Sequence, residues 1–142
     1  MTAIQQPAIL CDIDGTLAHM MGRSPYDWSR VEEDFIDENV REILELYHYN
    51  TEVRIILMSG RDEVCRKETI RWLDHHLVSY DELLMRGAND TRKDNVVKME
   101  LYNEFIKDRY KVRFILDDRD QVVKMWREEL GLVCFQVAPG AF

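Results

Sequence analysis

The residues with the most chemistry per unit length are Asp12-Ile13-Asp14-Gly15-Thr16, at the end of the apolar run Ala8 to Ile13. On a strand of period two, Asp12 and Asp14 point to the same side. Two carboxylates so placed repel each other unless a cation or a shared proton sits between them. An Asp-Gly turn closing the strand would account for Asp14 and Gly15 but leaves Asp12 unexplained. The full D-x-D-G-T string is far more specific than a lone Asp-Gly pair, so chemistry is the better reading.

Other polar groups follow apolar runs in the same way. Val53 to Met58 leads into Ser59-Gly60-Arg61, and Val112 to Leu116 leads into Asp117-Asp118. Lys93 stands in the polar loop 86–94, where a helix begins. Carboxylates from two strands can hold a hard cation through oxygen, and magnesium suits, since it takes a few carboxylates and keeps several waters. Such an ion also draws a phosphate to an edge that would otherwise repel it. Ser59 and Lys93 can donate to phosphate oxygens. A carboxylate beside a metal-held phosphate can attack phosphorus and form an aspartyl-phosphate. Arg61 directly follows a strand end, which favours the site over pairing with Glu63 or Glu68. Lys93 is a misfit at a helix start, where the dipole disfavours a cation.

The elements that must position these groups are readable from periodicity. Ala8 to Ile13 is a first strand, apolar on both faces. Ile36 to Tyr49 is a helix capped by Asp37, with Val40, Ile43, Leu44 and Tyr47 on one side. After the strand Val53 to Met58, a helix runs to about Leu77 with Ile70 and Leu73 inward. Glu82 to Met85 is a weaker strand, followed by a helix bearing Val97, Leu101 and Phe105. After Val112 to Leu116, a helix presents Val122, Val123, Trp126 and Leu130 and stops at Gly131, and Leu132 to Val137 is the last strand. This alternation predicts an α/β fold: an open, mainly parallel five-stranded Rossmann-like sheet with helices on both faces. Ligands of such sheets bind beyond the carboxyl ends of the strands, where all the groups above fall. Residues 15–28 form a small flap after strand one. Arg23, Tyr26 and Trp28 lie in it, and the two aromatics either stack on a base or pack within the flap.

The chain of 142 residues suits a single domain, 1–142, with residues 1–7 a lead or the stub of a longer chain. Its net charge of -8, from 27 acidic and 19 basic residues, argues against a protein that coats nucleic acid. It leaves room for recognition of one phosphate or one strand end by a few arginines. No apolar run approaches the roughly 18 residues of a membrane span, and no signal-peptide pattern opens the chain. No membrane association and a cytoplasmic location are therefore expected. Cys11, Cys65 and Cys134 are an odd number and read as free thiols, at least Cys11 and Cys134 being buried. His19, His48, His75 and His76 lack metal-ligand spacing, and Trp72 and Trp126 read as core.

The four motifs Asp12-Ile13-Asp14-Gly15-Thr16, Ser59, Lys93 and Asp117-Asp118 resemble those of haloacid dehalogenase-type phosphatases, from Ala8 onward. The resemblance implies that Asp12 is the nucleophile. Asp14 would protonate the leaving oxygen, then activate water, and its backbone carbonyl would bind magnesium. Asp118 would bind the ion directly and Asp117 through water. A narrower likeness rests on Gly22-Arg23-Ser24-Pro25-Tyr26-Asp27, Ser59-Gly60-Arg61, Asp90-Thr91-Arg92-Lys93-Asp94, Leu116-Asp117-Asp118-Arg119, Gln121-Val122-Val123 with Met125-Trp126-Arg127, and Gln136-Val137-Ala138. These strings resemble the 3′-phosphatase domain of phage-type polynucleotide kinase/phosphatase. That likeness implies removal of a 3′-phosphate from DNA or RNA ends, in a bacterium or a phage-infected cell. Arg23 and Arg61 would contact the substrate, and Asp90 would support the site around Lys93. The family carries a kinase domain, but no G-x-x-x-x-G-K-[ST] string occurs here. A 5′-kinase or ligase is thus expected as a fused or separate partner. Two other readings stand beside this one: a phosphatase of small metabolites or nucleoside monophosphates, and a module that binds phosphorylated ends without turnover.

Overall fold

In the computed structural model, which describes residues 5–142, the elements alternate as the periodicity predicts. In order they are β1 (Gln6–Cys11), β2 (Ala18–His19), β3 (Phe35–Ile36), α1 (Glu38–Asn50), β4 (Arg54–Asp62) and α2 (Arg66–His75). There follow β5 (Glu82–Arg86), α3 (Asp94–Leu101), β6 (Tyr110–Asp117), α4 (Asp120–Lys124) and β7 (Cys134–Gln136). Five strands form one parallel sheet in the order β5-β4-β1-β6-β7. The chain builds outward from β1 through β4 to β5, then returns to β6 on the other side. The topological switch point therefore lies at the carboxyl end of β1, where Asp12 follows. The Asp12 N–H donates to the Leu116 carbonyl at 3.0 Å and ties that end to β6.

The apolar runs follow from burial on both faces. Ile9 and Cys11 of β1, with Ile55 and Leu57 of β4, pack against Leu44 of α1 and Trp72 and Leu73 of α2. Their alternates Ala8, Leu10, Ile56 and Met58 pack against Ile106, Val122 and Trp126 on the opposite face. Trp72, Trp126, Cys11, Cys65 and Cys134 are buried, the cysteines as free thiols.

Several boundaries move, each for a local reason. Gln6 and Pro7 pair with Tyr110 and Lys111, so the sheet claims two residues that read as a lead, while 1–4 lie outside the described residues. Ile36 belongs to β3, and α1 begins after Asp37, whose Oδ1 caps the helix by accepting from the Val40 N–H at 3.0 Å. Helices α3 and α4 continue as wider, π-type turns over Tyr102–Ile106 and Met125–Glu129. The edge strand β7 is shorter than Leu132 to Val137, since only β6 is there to pair with it. The flap is a two-stranded antiparallel ribbon, β2 with β3, enclosing a 3-10 turn at Trp28–Glu33. Trp72 Nε1 donates to the Asp34 carbonyl at 2.9 Å and docks the flap on α2. Among the described residues no helix is long and apolar enough to cross a membrane.

Candidate active site

Beyond Cys11 the chain leaves the sheet, and the Asp12 carboxylate enters a buried polar cluster. Its Oδ1 accepts from Lys98 Nζ at 2.8 Å and its Oδ2 from Thr16 Oγ1 at 3.1 Å. The Asp117 Oδ2 accepts from the same Nζ at 3.1 Å and from Trp126 Nε1 at 3.3 Å. Its Oδ1 accepts the N–H groups of Asp118 at 2.9 Å and Arg119 at 3.4 Å. Asp118 Oδ1 lies 3.3 Å from Thr16 Oγ1. One oxygen each from Asp12, Asp117 and Asp118 falls within 4.8 Å of the others, and all three residues are buried.

Charge in this cluster is out of balance. Burial pushes the Asp12 carboxyl well above its usual range, and the Asp117 charge adds to it, with Lys98 opposing. Burial also raises Asp118. For the Lys98 ammonium burial is the largest influence and acts downward. Asp117, Asp12 and Asp94 together outweigh it, so the ammonium is held above its ordinary value. One ammonium is thus left to balance the triad of Asp12, Asp117 and Asp118, with Asp94 also near it. The triad's oxygens are the donor set a hard divalent cation prefers, and the residues present fit magnesium. Gly15 makes room for this: at φ +86° a Cβ there would sit 2.1 Å from Asp118 Oδ2.

The lysine of the cluster is not the expected one. Lys93 is the exposed residue before the first turn of α3, whereas Lys98 lies one turn further, almost wholly buried. It sits on the apolar face of α3 beside Val97, and a lysine in such a stripe was the signal available in the sequence.

A second cluster surrounds Asp14. Its carboxylate, a quarter exposed, accepts from Arg61 Nη2 at 2.8 Å and Nε at 3.1 Å, and from Arg23 Nη2 at 3.3 Å. Arg61 also donates to Asp34 Oδ2 at 2.8 Å and to Thr69 Oγ1 at 3.1 Å. Arg23 meets Asp34 in a fork, Nε to Oδ1 at 2.8 Å and Nη2 to Oδ2 at 2.9 Å. The hydrogen bond to Asp34 strengthens the hold of Arg23 on its proton. Arg23 is therefore no solvated flap residue: it joins the flap to β1 and, through Asp34, to Arg61. Asp34, within an acidic run, carried no signal in the sequence; nor did Thr69. The carboxylates of Asp12 and Asp14 share no partner, and Asp14 stands apart from the acidic triad. β1 ends at Cys11 and the next residues form a tight turn, Thr16 N–H to the Ile13 carbonyl at 3.2 Å, so the two carboxylates take different partners.

Ser59 is wholly buried, and its Oγ accepts the Arg61 N–H at 3.1 Å, which leaves the hydroxyl proton free to donate. The Gly60 carbonyl accepts from Arg86 Nε at 2.8 Å, and a Cβ at Gly60 would lie 2.0 Å from Asp94 Oδ1. Asp90 grips Arg92, accepting its Nη2 at 2.8 Å and its N–H at 3.0 Å, and these bonds hold its carboxyl down at about 2. Asp90 thus shapes the 87–93 loop.

A parallel sheet with aspartates, a lysine and arginines gathered at its carboxyl edge has the architecture of the haloacid dehalogenase-type phosphatases. The HAD domain of effector protein Lem4 from Legionella pneumophila has the same fold, with a TM-score of 0.61 at 16% identity over 96% of this chain and 88% of that one. Residues 6–142 match the family described as the polynucleotide kinase PNKP phosphatase domain, and the chain belongs to that family of phosphatases. Two solved structures, of a Pnkp1/Rnl/Hen1 complex and of the Pnkp1/Rnl/Hen1 RNA repair complex, contain chains similar at 46% and 44% identity, both with a TM-score of 0.94. This chain is covered to 97% and 100% in those matches, and the matched chains to 48% and 47%. A putative bifunctional polynucleotide kinase/RNA ligase of Autographa californica nuclear polyhedrosis virus is 37% identical over 124 residues, 85% of this chain. The chain spans only 18% of that relative.

Proposed function

We propose that this domain is a magnesium-dependent polynucleotide 3′-phosphatase, acting through an aspartyl-phosphate in nucleic-acid repair. The observation that carries the proposal is the Asp12 carboxylate, held between Lys98 and Thr16 beside Asp117 and Asp118. An Asp12 oxygen attacks phosphorus; the O–P bond to Asp12 forms as the bond to the 3′-oxygen breaks. Asp14 gives its proton to that departing oxygen. It then takes a proton from water, which attacks phosphorus, releases phosphate and restores the Asp12 carboxylate. Lys98 and Thr16 orient Asp12, and Ser59 donates its free hydroxyl proton to a phosphate oxygen. Arg61 and Arg23 hold Asp14 at the edge of the sheet, within reach of an incoming phosphate. Magnesium, when bound, supplies positive charge for the phosphoryl group. Asp118 would ligate it directly, since Asp117 already spends both oxygens on four hydrogen bonds. Asp12 and the Asp14 backbone carbonyl would complete the set, with Asp117 acting through water.

Relatives described by RNA ligase and RNA repair support RNA as the substrate, and a kinase or ligase as the companion activity, on the same longer chain or on a separate one. The test is phosphate release from a 3′-phosphorylated oligonucleotide with magnesium and with chelator. Release that stops with chelator and with Asp12→Asn is expected. A protein that leaves the oligonucleotide intact but hydrolyses sugar phosphates is instead a small-metabolite phosphatase.

A further inference from the structure

Tyr26 is the most exposed large hydrophobic side chain of the flap, at 81%, yet the turn that carries it is held by hydrogen bonds. Its own N–H donates to Ser24 Oγ at 3.3 Å, and the Asp27 N–H donates to the Ser24 carbonyl at 3.0 Å. Asp27 Oδ1 in turn accepts the Ser29 N–H at 3.2 Å, so the turn is fixed on both sides of the ring. The Trp28 ring meets Tyr26 edge-on, with centroids 6.4 Å apart and planes at 88°. An edge contact steadies the ring and leaves a face free.

This turn is coupled to the site by one guanidinium. Arg23 Nη2 donates to Asp14, while its Nη1 donates to the carbonyls of Ser24 at 3.2 Å and Pro25 at 3.5 Å. The carbonyl that precedes Tyr26 is therefore a single side chain away from Asp14.

The flap has little to offer a phosphate backbone. Of its two arginines, Arg23 is buried against Asp34 and Asp14 and Arg30 is paired with Glu33 at 3.0 Å, while Arg71, which faces the flap from α2, is paired with Glu32 at 3.1 Å. The whole chain carries a net charge of -8. Stacking on an aromatic ring lets the flap hold a nucleic-acid end without a free charge of its own.

We propose that Tyr26 is a stacking platform for the base of the nucleotide whose 3′-phosphate is removed. The proposal rests on the 3′-phosphatase reading and adds to it a subsite for the nucleobase. Because every base has a π-face, recognition there tolerates sequence. A ring held in place before binding loses little freedom when the base arrives.

The test is a cycle of Tyr26→Ala against loss of the base, using a 3′-phosphorylated oligonucleotide and its counterpart abasic at the last nucleotide. With the normal substrate, Tyr26→Ala lowers kcat/KM about 5- to 150-fold, the span expected for one stacked base, mainly through KM. Removing the base from the substrate costs the wild-type protein a similar factor, and the two losses do not add. Tyr26→Trp restores the normal rate, while Tyr49→Ala, an exposed ring at the end of α1, leaves it unchanged. An unaltered melting temperature of Tyr26→Ala rules out unfolding as the cause. If Tyr26→Ala matches the wild type on the normal oligonucleotide, or if both losses add, the stacking proposal is wrong and the 3′-phosphatase reading survives. If the wild-type protein releases phosphate from neither oligonucleotide, the 3′-phosphatase reading fails and the subsite falls with it.

Discussion

Replacing Lys98 with methionine separates the two lysines between which the site has to choose. Methionine fills most of the lysine stem's volume, so the change removes charge with little cavity. Lys98 Nζ lies 2.8 Å from Asp12, 3.1 Å from Asp117 and 3.8 Å from Asp94, with a side chain 1% exposed. Breaking a buried pair by deleting one partner costs about 3–5 kcal/mol, because the remaining charge stays buried without compensation. Asp12 relieves part of this by taking up a proton, which burial and Asp117 already favour. The low end, about 3 kcal/mol, is therefore expected for Lys98→Met, against a total stability of about 5–15 kcal/mol. Lys93→Met, at an exposed position, should stay within about 0.5 kcal/mol of the wild type. Urea unfolding in the presence of chelator, followed by fluorescence of the buried Trp72 and Trp126, reads both variants. Phosphate release should fall at least 100-fold in Lys98→Met and persist in Lys93→Met, about 2.7 kcal/mol of barrier for the former. Equal stabilities for the two variants, or a Lys98→Met protein within about 1 kcal/mol of the wild type, would refute the central role given to Lys98.

Gly15→Ala should destabilise by about 1–3 kcal/mol and shrink the rise in melting temperature that magnesium produces, since its Cβ displaces Asp118. Gly22→Ala, also at positive φ but with nothing within 4 Å, isolates the backbone part and should leave the magnesium response intact. Asp90, held at about 2 by Arg92, lies below the ordinary aspartate value of about 3.9. A depressed carboxylate stabilises the fold above its unfolded pKa, and the contribution is lost as pH falls through about 2. An NMR titration of the Asp90 carboxyl should show this midpoint, and Arg92→Ala should move it up; a wild-type midpoint near 3.9 would overturn the assignment.

Periodicity and local chemistry were enough for the fold. A strand buried on both faces must be apolar throughout, so β1, β4 and β6 were legible as runs, and their carboxyl ends marked the edge where Asp12, Asp14, Ser59, Arg61, Asp117 and Asp118 meet. Their roles were another matter. Asp12 and Asp14 are equivalent as residue types two apart, but the turn after Cys11 sends one carboxylate to Lys98 and Thr16 and the other to Arg61 and Arg23. Lys93 and Lys98 are both lysines near the start of a helix; Lys93 precedes the first turn of α3 and stays exposed, while the packing of α3 against the sheet buries Lys98. Asp34 becomes the partner of two arginines only because β2 pairs with β3 and folds the flap back over α2. Local sequence records what a residue can do and which face of an element it occupies. Which charge meets which depends on the packing of elements far apart in the chain, and that was decided by the tertiary structure alone.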